Sequence, residues 1–318
     1  MPRIVVTSDL HYGITGVDQL RALADAIASE MPDLTVLAGD IGEGMAHFTG
    51  CLRVFADLPG AVGVVAGNHD LWARDHRDSQ ELWERALPET VREAGMLWLD
   101  DDLWRHDGLA VTGSVGWYDY SAVDPYLPPL PPEYFARHKG DTNADAWYIT
   151  WPWSDAEFAA RVSDALVARL QRVEDDPAAA GALVVTHVPL TEAQMCRRPD
   201  DRRWGTSNAY FGNLTLGQRV LAFPKLRAIV SGHTHIGREG LAQRTGPAEG
   251  DDVVPVSVVP SDYGRPAYLV LDVTGNALHA SLCRPEAPLR EQVGSTVRRG
   301  LAAGEHAAQF VRTKLWKS

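Results

Sequence analysis

Five short apolar runs in this chain each end in polar residues that can bind a metal ion. The clearest run, 61–66, closes on a glycine and continues as Asn68, His69 and Asp70. An apolar run that stops at a glycine and polar side chains is typical of a buried strand that delivers functional groups at its carboxyl end. The other four runs are followed by residues of the same types, namely Asp9 and His11, Asp40, His187, and His233 with His235.

The residue types in this set favour a site for two metal ions that hydrolyses a bond to phosphorus. Aspartate, asparagine and histidine ligands without a thiolate suit Mn, Fe or Zn rather than Mg or Ca alone. Asp9 and His11 are two residues apart where a strand ends, so both side chains can face the same side. A carboxylate can bridge two cations, and Asp40 is the natural bridge. Gly39 precedes it, and because glycine has no side chain the backbone there can approach an ion. Two ions about 3.5–4 Å apart can share a hydroxide and clamp an in-line displacement at phosphorus.

Each motif alone has little specificity, because D-x-H, Gly-Asp and a single histidine at a strand end are all common. Taken by itself, His187 reads as a buried polar group whose hydrogen bonds are satisfied. The ordered set of D-x-H, G-D, G-N-H-D, a later histidine and G-H-x-H is very specific. It holds five of the eleven histidines of the chain, which indicates a site rather than scattered packing residues.

The ordered set resembles the calcineurin-like metallophosphoesterase superfamily, with every signature block present in order from Asp9 to His235. The resemblance implies an α/β fold: a four-layer α/β/β/α sandwich of two mixed sheets flanked by helices, with a dinuclear metal site at the carboxyl ends of the strands. It also implies two divalent or trivalent metal ions. Carried over block by block, the ligands of the first ion would be Asp9, His11, Asp40 and His235, and those of the second Asp40, Asn68, His187 and His233.

The resemblance further implies that His69 is the catalytic histidine, which protonates the leaving oxygen or stabilises charge on the transferred phosphoryl group. The nucleophile would be a metal-bridging hydroxide. The phosphoprotein phosphatase branch has G-D-x-x-D-R-G where this chain has G-D-I-G-E-G. The acidic position is kept as Glu43, which could orient His69, and the missing arginine argues against a Ser/Thr phosphatase. Asp70 is grouped with these catalytic residues, either hydrogen-bonded to loop backbone or supporting a ligand histidine.

The elements that must position these residues alternate between strand and helix over the first part of the chain. This alternation predicts a mainly parallel sheet with right-handed crossovers, and Pro88 is expected to kink or divide the third helix. From Val253 the pattern changes to strands separated by turns, which predicts a second, mostly antiparallel sheet. Two short segments, 96–99 and 109–112, flank a turn at 106–108. The predicted strands are 4–7, 35–38, 61–66, 183–186, 228–231, 253–259, 268–273 and 278–282, and the predicted helices include 45–56, 80–94 and 155–173.

Residues 117–153 interrupt this pattern with ten aromatic residues and six prolines. So long a non-repetitive segment is usually functional or disordered, and its aromatic density argues against disorder. Two interpretations stay open: a cap over the metal ions that offers aromatic faces to a flat substrate group, or a loop that packs its own rings onto the sheet edge. An arginine cluster further along is interpreted first as a solvated loop and alternatively as a source of phosphate contacts. It consists of Arg197, Arg198, Arg202 and Arg203.

The bulk properties fit an ordinary globular protein. The chain has 318 residues, of which 45% are hydrophobic and 23% charged. A net charge of −12 argues against nucleic acid as the main partner but permits a small phosphorylated ligand held by metal ions. Three widely spaced cysteines without a CxxC motif favour a reducing compartment, and no apolar window approaches the about 20 residues of a membrane helix. We therefore expect a cytoplasmic protein without a membrane partner.

The predicted organisation is one catalytic domain over residues 1–285, with 117–153 as an insertion, and a helical tail over 286–318. The tail is compatible with a surface helix or with homo-oligomer contacts. The predicted function is that of a metal-dependent phosphoric ester hydrolase, with a small-molecule phosphodiester marginally preferred because the spacing and the missing arginine resemble the diesterase branches. A phosphomonoesterase of nucleotides or sugar phosphates is the alternative. A non-catalytic metal-binding scaffold of the same fold is the alternative from another class, and retention of His69 argues against it.

Overall fold

The computed structural model of the protein describes residues 2–74, 77–245, 252–274 and 277–285. In these residues no helix is long and apolar enough to cross a membrane. The strands are β1 Arg3–Thr7, β2 Leu34–Ala38, β3 Ala61–Val65, β4 Leu97–Trp98, β5 Trp104–His106, β6 Leu109–Ser114, β7 Gly181–Thr186, β8 Leu226–Ser231, β9 Arg238–Gln243, β10 Val253–Val258, β11 Tyr268–Thr274 and β12 Ala277–Cys283. The helices are α1 Val17–Ser29, α2 Met45–Val54, α3 Ser79–Glu81, α4 Leu87–Glu93, α5 Pro132–His138, α6 Asp145–Tyr148, α7 Asp155–Glu174, α8 Arg202–Ser207 and α9 Leu214–Val220.

These strands form two six-stranded sheets. The first has the order β12-β11-β1-β2-β3-β4 and the second β5-β6-β7-β8-β10-β9. Strands β1 to β4 run parallel to one another, as do β6, β7, β8 and β10. Antiparallel pairs complete each sheet: β11 pairs with β1 and β12 with β11 in the first, and β5 and β9 form the two edges of the second. Both sheets are therefore mixed, as predicted.

The parallel strands are apolar on both faces, which lets each sheet pack on two sides. In β1, Ile4 belongs to a buried cluster with Leu183 of β7, so this face lies between the sheets. Its neighbour Val5 points the other way, into a cluster with Leu20 of α1. Helices α7 and α9 cover the outer face of the second sheet in the same manner. The predicted four-layer α/β/β/α sandwich is confirmed.

The helix predicted over 80–94 is divided, as expected from its proline. Helix α3 continues into a π-helical turn, Leu82–Ala86, and then into α4, with Pro88 in the first turn of α4. Proline has no N–H group to donate to the carbonyl four residues earlier and its ring crowds that carbonyl. The wider π turn before it accommodates this disruption without ending the helical path.

The prediction of a separate, mostly antiparallel sheet after Val253 is wrong. Strand β10 pairs parallel with β8 in the second sheet, whereas β11 pairs antiparallel with β1 in the first. Strands β5 and β9 were not predicted, because both are edge strands with mostly polar or exposed residues. The predicted tail, 286–318, lies outside the described residues, so the domain boundary at 285 stays a prediction.

The aromatic segment 117–153 packs most of its rings into the protein. Trp117, Tyr118 and Phe135 are buried and belong to the same hydrophobic cluster as Phe158 of α7. The segment also contains α5 and α6. Trp147 is an exception, with 72% of its surface exposed. The packing interpretation therefore describes most of this segment.

Candidate metal centre

The carboxyl ends of the parallel strands in both sheets meet at one edge of the sandwich. Backbone hydrogen bonds tie the loops there together: Asp9 N donates to the carbonyl of Gly39 (3.0 Å), and Gly232 N donates to that of His187 (2.9 Å). Each predicted ligand follows one of these strands. Strands β1, β2 and β3 of the first sheet supply Asp9, His11, Asp40 and Asn68, and β7 and β8 of the second supply His187, His233 and His235.

The first of two side-chain clusters contains Asp9, His11, Asp40 and His235, whose ligand atoms all lie within 4.8 Å of one another. His11 Nε2 is 3.3 Å from His235 Nε2 and 3.6 Å from Asp40 Oδ2. Asp9 Oδ1 is 3.4 Å from His235 Nε2. Four potential donor atoms therefore face a common point.

The second cluster surrounds His187 Nε2. This atom is 3.2 Å from Asp40 Oδ1, 3.2 Å from His233 Nδ1 and 3.1 Å from Asn68 Oδ1. Asp40 therefore turns one carboxylate oxygen to each cluster, Oδ1 to the second and Oδ2 to the first. The structure brings all seven predicted ligands together, in the two groups that the sequence resemblance implies.

The spacing of these donor atoms fits metal ions. Two nitrogens that bind one ion at about 2.1 Å and at an angle of about 90–110° lie about 3.0–3.4 Å apart. The His11–His235 and His187–His233 nitrogen pairs are separated by 3.3 and 3.2 Å. Unprotonated imidazole nitrogens at that distance repel each other unless a proton or a cation attracts both. The buried carboxylates of the same clusters also require positive charge, so the residues fit a pair of cations.

Hydrogen bonds on the outer ring nitrogens orient three of the histidines. A histidine whose outer nitrogen donates to a fixed acceptor keeps its inner nitrogen unprotonated and able to bind metal. His11 differs, because its Nδ1 has no hydrogen-bond partner among the described residues. The three orienting bonds run from His187 Nδ1 to the carbonyl of Ala38 (3.0 Å), from His233 Nε2 to the carbonyl of Tyr210 (3.1 Å) and from His235 Nδ1 to Asp262 Oδ1 (3.4 Å).

The pKa values in the second cluster diverge. Burial acts to lower the pKa of His187, but the charge of Asp40 and the hydrogen bond between the two side chains outweigh burial and raise it to about 10. Burial and the charge on His187 lower the pKa of His233 to about 4. A proton on His187 thus supplies the positive charge that Asp40 requires. A metal ion must displace this proton, because a ligand histidine is neutral.

Five of the predicted ligands have a left-handed backbone. This conformation is uncommon for residues other than glycine and costs on the order of 1–3 kcal/mol for each residue. Among the described non-glycine residues, three others share it, namely Met31, Asp107 and Tyr120. The concentration of strained backbone at one place is typical of a functional site. The φ angles of the ligands are 53° for Asp9, 43° for His11, 53° for Asp40, 71° for His233 and 57° for His235.

Two glycines allow the ligand loops to approach each other. A Cβ atom on Gly67 would overlap the backbone and carboxylate of Asp40, and a Cβ on Gly39 would overlap the ring of His187. The sequence interpretation placed an ion against Gly39, whereas the structure places the His187 ring there. The close approach at Gly67 brings the backbone N of His69 to 2.9 Å from Asp40 Oδ1.

His69 lies beside Asp40 at the more open side of the centre, with 17% of its side chain exposed. Its Nε2 is 3.8 Å from Asp40 Oδ2, and its Nδ1 is hydrogen-bonded to Glu43 Oε1 at 3.1 Å, the contact that the sequence predicts. The other oxygen of Glu43 pairs with Arg74 at 3.0 Å. Burial acts to lower the pKa of His69, but the charge of Asp40 and the bond to Glu43 raise it above its ordinary value.

Asp70, grouped with the catalytic residues from the sequence, supports the loop backbone instead. Its Oδ1 accepts the backbone N–H groups of Ile41 and Gly42, both at 2.9 Å, and its Oδ2 accepts that of Gly67 at 2.7 Å. All three donors are main-chain groups of the loops that carry Asp40 and Asn68. Of the two roles considered for Asp70, the structure supports hydrogen bonding to the loops, and the catalytic assignment is corrected accordingly.

A family model described as calcineurin-like phosphoesterase matches residues 2–237 of the chain. The chain belongs to this family. The match ends just beyond His235 and therefore includes all seven predicted metal ligands. No curated protein sequence matches the chain significantly.

Solved structures share the fold of this phosphoesterase. Phosphopantetheinyl hydrolase from Mycobacterium tuberculosis has a TM-score of 0.60 and 20% identity, over 83% of this chain and 90% of that chain. A dimetal phosphatase from Danio rerio has a TM-score of 0.50 and 12% identity, over 90% of this chain and 100% of that chain. At these identities the similarity establishes the fold and leaves the substrate to be determined.

Several residues of this phosphoesterase that contact the centre were missed from the sequence. Asp262 bonds His235, Arg74 pairs with Glu43, and the ring of Trp72 stacks on His69 with centroids 3.8 Å apart. The partly exposed ring of Tyr263 lies 4.5 Å from that of His11, and Asp145 binds Asn68. The only local signal is the position of Trp72 and Arg74 shortly after the G-N-H-D motif, since the others lie in loops without a motif.

Two members of the arginine cluster 197–203 are engaged with other parts of the protein. Arg197 forms an ion pair with Glu192 and donates to the carbonyl of Ala122 at 2.6 Å. Arg198 stacks on Trp204, 3.8 Å from the ring centroid. Arg197, with 13% of its side chain exposed, is therefore not the solvated side chain that the sequence predicts, whereas the exposed Arg198 agrees with that prediction.

Proposed function

We propose that this phosphoesterase hydrolyses a phosphodiester bond in a small molecule and uses two metal ions of the Mn, Fe or Zn type. Asp9, His11, Asp40 and His235 would hold one ion, and Asp40, Asn68, His187 and His233 the other. Glu43 would orient the catalytic His69. The observation that carries the proposal is the position of Asp40, whose two oxygens face two separate clusters of nitrogen and oxygen donors.

The chemistry that two bound ions supply is Lewis-acid activation of a water molecule and of the phosphoryl oxygens. The protein contributes a proton at His69. Because Nδ1 of this residue is held by Glu43, Nε2 is the atom that can carry a proton to the leaving oxygen. The charge of Asp40 and the bond to Glu43 raise the pKa of His69 in the metal-free protein, and a protonated Nε2 is what a general acid requires.

Two arginines that pair with carboxylates beside the centre are already engaged and do not serve as ligands for a second phosphoryl charge. Arg74 is paired with Glu43, and Arg265 is paired with Asp262 at 3.1 Å. Each of these carboxylates also contacts a histidine of the centre. The positive charge of each arginine is therefore already balanced by a neighbouring carboxylate. A phosphomonoester carries about −1.5 to −2 charge at neutral pH, whereas a phosphodiester carries one. This difference in charge supports the diester preference.

The proposal is tested by hydrolysis of bis(p-nitrophenyl) phosphate and p-nitrophenyl phosphate with added Mn²⁺. We expect a higher kcat/KM for the diester. A higher value for the monoester would replace the diester assignment with a phosphomonoesterase, and metal binding without turnover of either compound would indicate a scaffold.

His69→Ala is the matched test of the catalytic assignment. We expect turnover to fall by about 10²–10⁴-fold while two metal ions stay bound. His138→Ala serves as the control, because His138 is an exposed histidine that pairs with Asp141; its turnover should equal that of the wild type. Unchanged turnover in His69→Ala would refute the role of His69.

A further inference from the structure

One carboxylate of the aromatic segment 117–153 reaches the metal centre. Asp145, the first residue of α6, is completely buried. Its Oδ1 accepts a hydrogen bond from Asn68 Nδ2 at 2.9 Å and another from Trp72 Nε1 at 2.7 Å. Its Oδ2 accepts one from the Tyr118 hydroxyl at 2.8 Å. All three of these side-chain donors are buried, so this network lies within the protein interior.

The bond to Asp145 determines which end of the Asn68 amide faces the centre. An amide has one accepting oxygen and one donating nitrogen, and an ionised carboxylate can only accept. With Nδ2 on Asp145, Oδ1 is directed to the second cluster, 3.1 Å from His187 Nε2. The reverse orientation would set two oxygens against each other at Asp145 and present an NH₂ group to a cation.

The same carboxylate oxygen fixes the ring of Trp72. This indole stacks on His69 on one side, with centroids 3.8 Å apart, and on Tyr148 on the other, with centroids 4.6 Å apart. Stacking alone permits the indole to turn within its plane, whereas the bond from Nε1 to Asp145 selects one orientation. Asp145 therefore contacts both a predicted metal ligand and the residue that supports the catalytic His69.

We propose that Asp145 is a positioning residue of the metal centre, which directs the Asn68 oxygen toward the second ion and holds Trp72 against His69. The inference rests on the proposed function in one respect, the role of Asn68 as a ligand. It makes the aromatic segment a structural part of the centre rather than only a cover over it. Among the described residues of segment 117–153, no other side chain is hydrogen-bonded to both Asn68 and Trp72.

The test is the Mn²⁺ affinity of Asp145→Leu, measured by calorimetry on the metal-free full-length protein. Leucine has a similar shape but offers no oxygen to Asn68 or Trp72, so both hydrogen bonds are lost. We expect one of the two Mn²⁺ ions to bind about 10–100-fold more weakly, the usual effect of losing a partner that orients a ligand. The electron paramagnetic resonance spectrum should change from that of a coupled pair to that of a single ion at metal concentrations that fill both wild-type sites.

Asp155→Leu is the matched control. Asp155 also accepts an indole N–H, from Trp117 at 2.9 Å, and a tyrosine hydroxyl, from Tyr120 at 2.6 Å, and it pairs with Lys139. Within the described part of the chain it forms no hydrogen bond to a residue of the centre. We expect Asp155→Leu to bind both Mn²⁺ ions with wild-type affinity. Equal losses of affinity in both variants, or wild-type affinity in Asp145→Leu, would overturn the inference.

An exchange variant covers the case in which Asp145→Leu does not fold. In the double variant Asn68→Asp with Asp145→Asn, the hydrogen bond is restored in the opposite direction and an oxygen still faces the second cluster. We expect both Mn²⁺ ions to bind within about tenfold of the wild-type affinity, and a folded exchange variant that binds one ion would contradict the inference. These readouts are separate from turnover, so a wild-type protein that binds two ions without hydrolysing esters would refute the proposed function alone.

Discussion

The contact between Glu43 and His69 makes a specific prediction for the pH dependence of turnover. If His69 donates a proton, kcat/KM falls as the pH rises through the pKa of this residue in the free enzyme. Glu43→Gln removes the negative charge beside Nδ1 but keeps an oxygen that can accept its hydrogen bond. The pKa of His69 should therefore fall, and the decline in kcat/KM should begin at a lower pH.

The size of the effect follows from the geometry. An opposite charge within about 4–6 Å shifts a pKa by about 1–3, and Glu43 Oε1 is 3.1 Å from His69 Nδ1. The low end of this range of pKa shifts applies here, because Glu43 is shared with Arg74 and the Glu43 side chain is 18% exposed. We expect the pKa of His69 to fall by about one, or about 1.4 kcal/mol. Above both pKa values, the variant should be about tenfold slower than the wild type; well below them, the rates should agree.

The assay is the pH profile of kcat/KM for bis(p-nitrophenyl) phosphate at saturating Mn²⁺, with metal content measured for each sample. Arg74→Gln is the matched control. Without the arginine, Glu43 interacts with His69 alone and raises its pKa further. The descending limb of the Arg74→Gln profile should therefore move in the opposite direction, to higher pH. A limb in Glu43→Gln that coincides with the wild type, or a loss of activity that is equal at every pH, would refute the reasoning.

Three further outcomes test the centre and the segment 117–153. Asp40→Asn should hold fewer than two ions per chain by elemental analysis, because Asp40 is common to both clusters. Two ions per chain in this variant would refute the assignment of Asp40 as the bridging ligand. Chelation should lower the unfolding free energy by about 2.7 kcal/mol for each ion present at a hundred times its Kd, and an unchanged Tm would contradict this. Trp117→Ala should lower the unfolding free energy in urea by about 3–5 kcal/mol, because its ring is fully buried. Trp147→Ala should change the unfolding free energy by less than about 0.5 kcal/mol, because Trp147 is exposed. Equal losses of unfolding free energy in the two variants would argue against the packing interpretation.

The part of the fold that the sequence predicts correctly is encoded locally. Buried parallel strands such as β1 and β3 appear as apolar runs, and α7 as a repeat of apolar residues that includes Phe158 and Leu166. Which sheet a strand joins is not encoded in that way. Val256 of β10 pairs with Ile229, and Leu271 of β11 pairs with Ile4 at the other end of the chain. Strands with similar local patterns therefore entered different sheets, and the prediction of one antiparallel sheet failed.

The same distinction applies to the centre. The metal ligands were found because each lies directly after a strand in a short motif, so sequence position determines spatial position. Asp145 is 77 residues from Asn68, in a segment without periodicity, and nothing near it distinguishes it from the other acidic residues. Asp70 shows the reverse error, because a carboxylate within a catalytic motif was given a catalytic role when its contacts are to backbone.

The left-handed backbone at five ligand positions has a consequence for redesign of this protein. At about 1 kcal/mol each, the low end of the range for such conformations, these residues together cost about 5 kcal/mol, a large fraction of the 5–15 kcal/mol by which a folded protein is typically stable. Glycine adopts the same conformation without this cost. Glycine at Asp9, His11 or Asp40 would relieve this strain but remove the stabilisation that bound metal provides and, at Asp9 and Asp40, hydrogen bonds to backbone N–H groups. The outcome of a selection for heat resistance would therefore depend on whether metal is present during the selection.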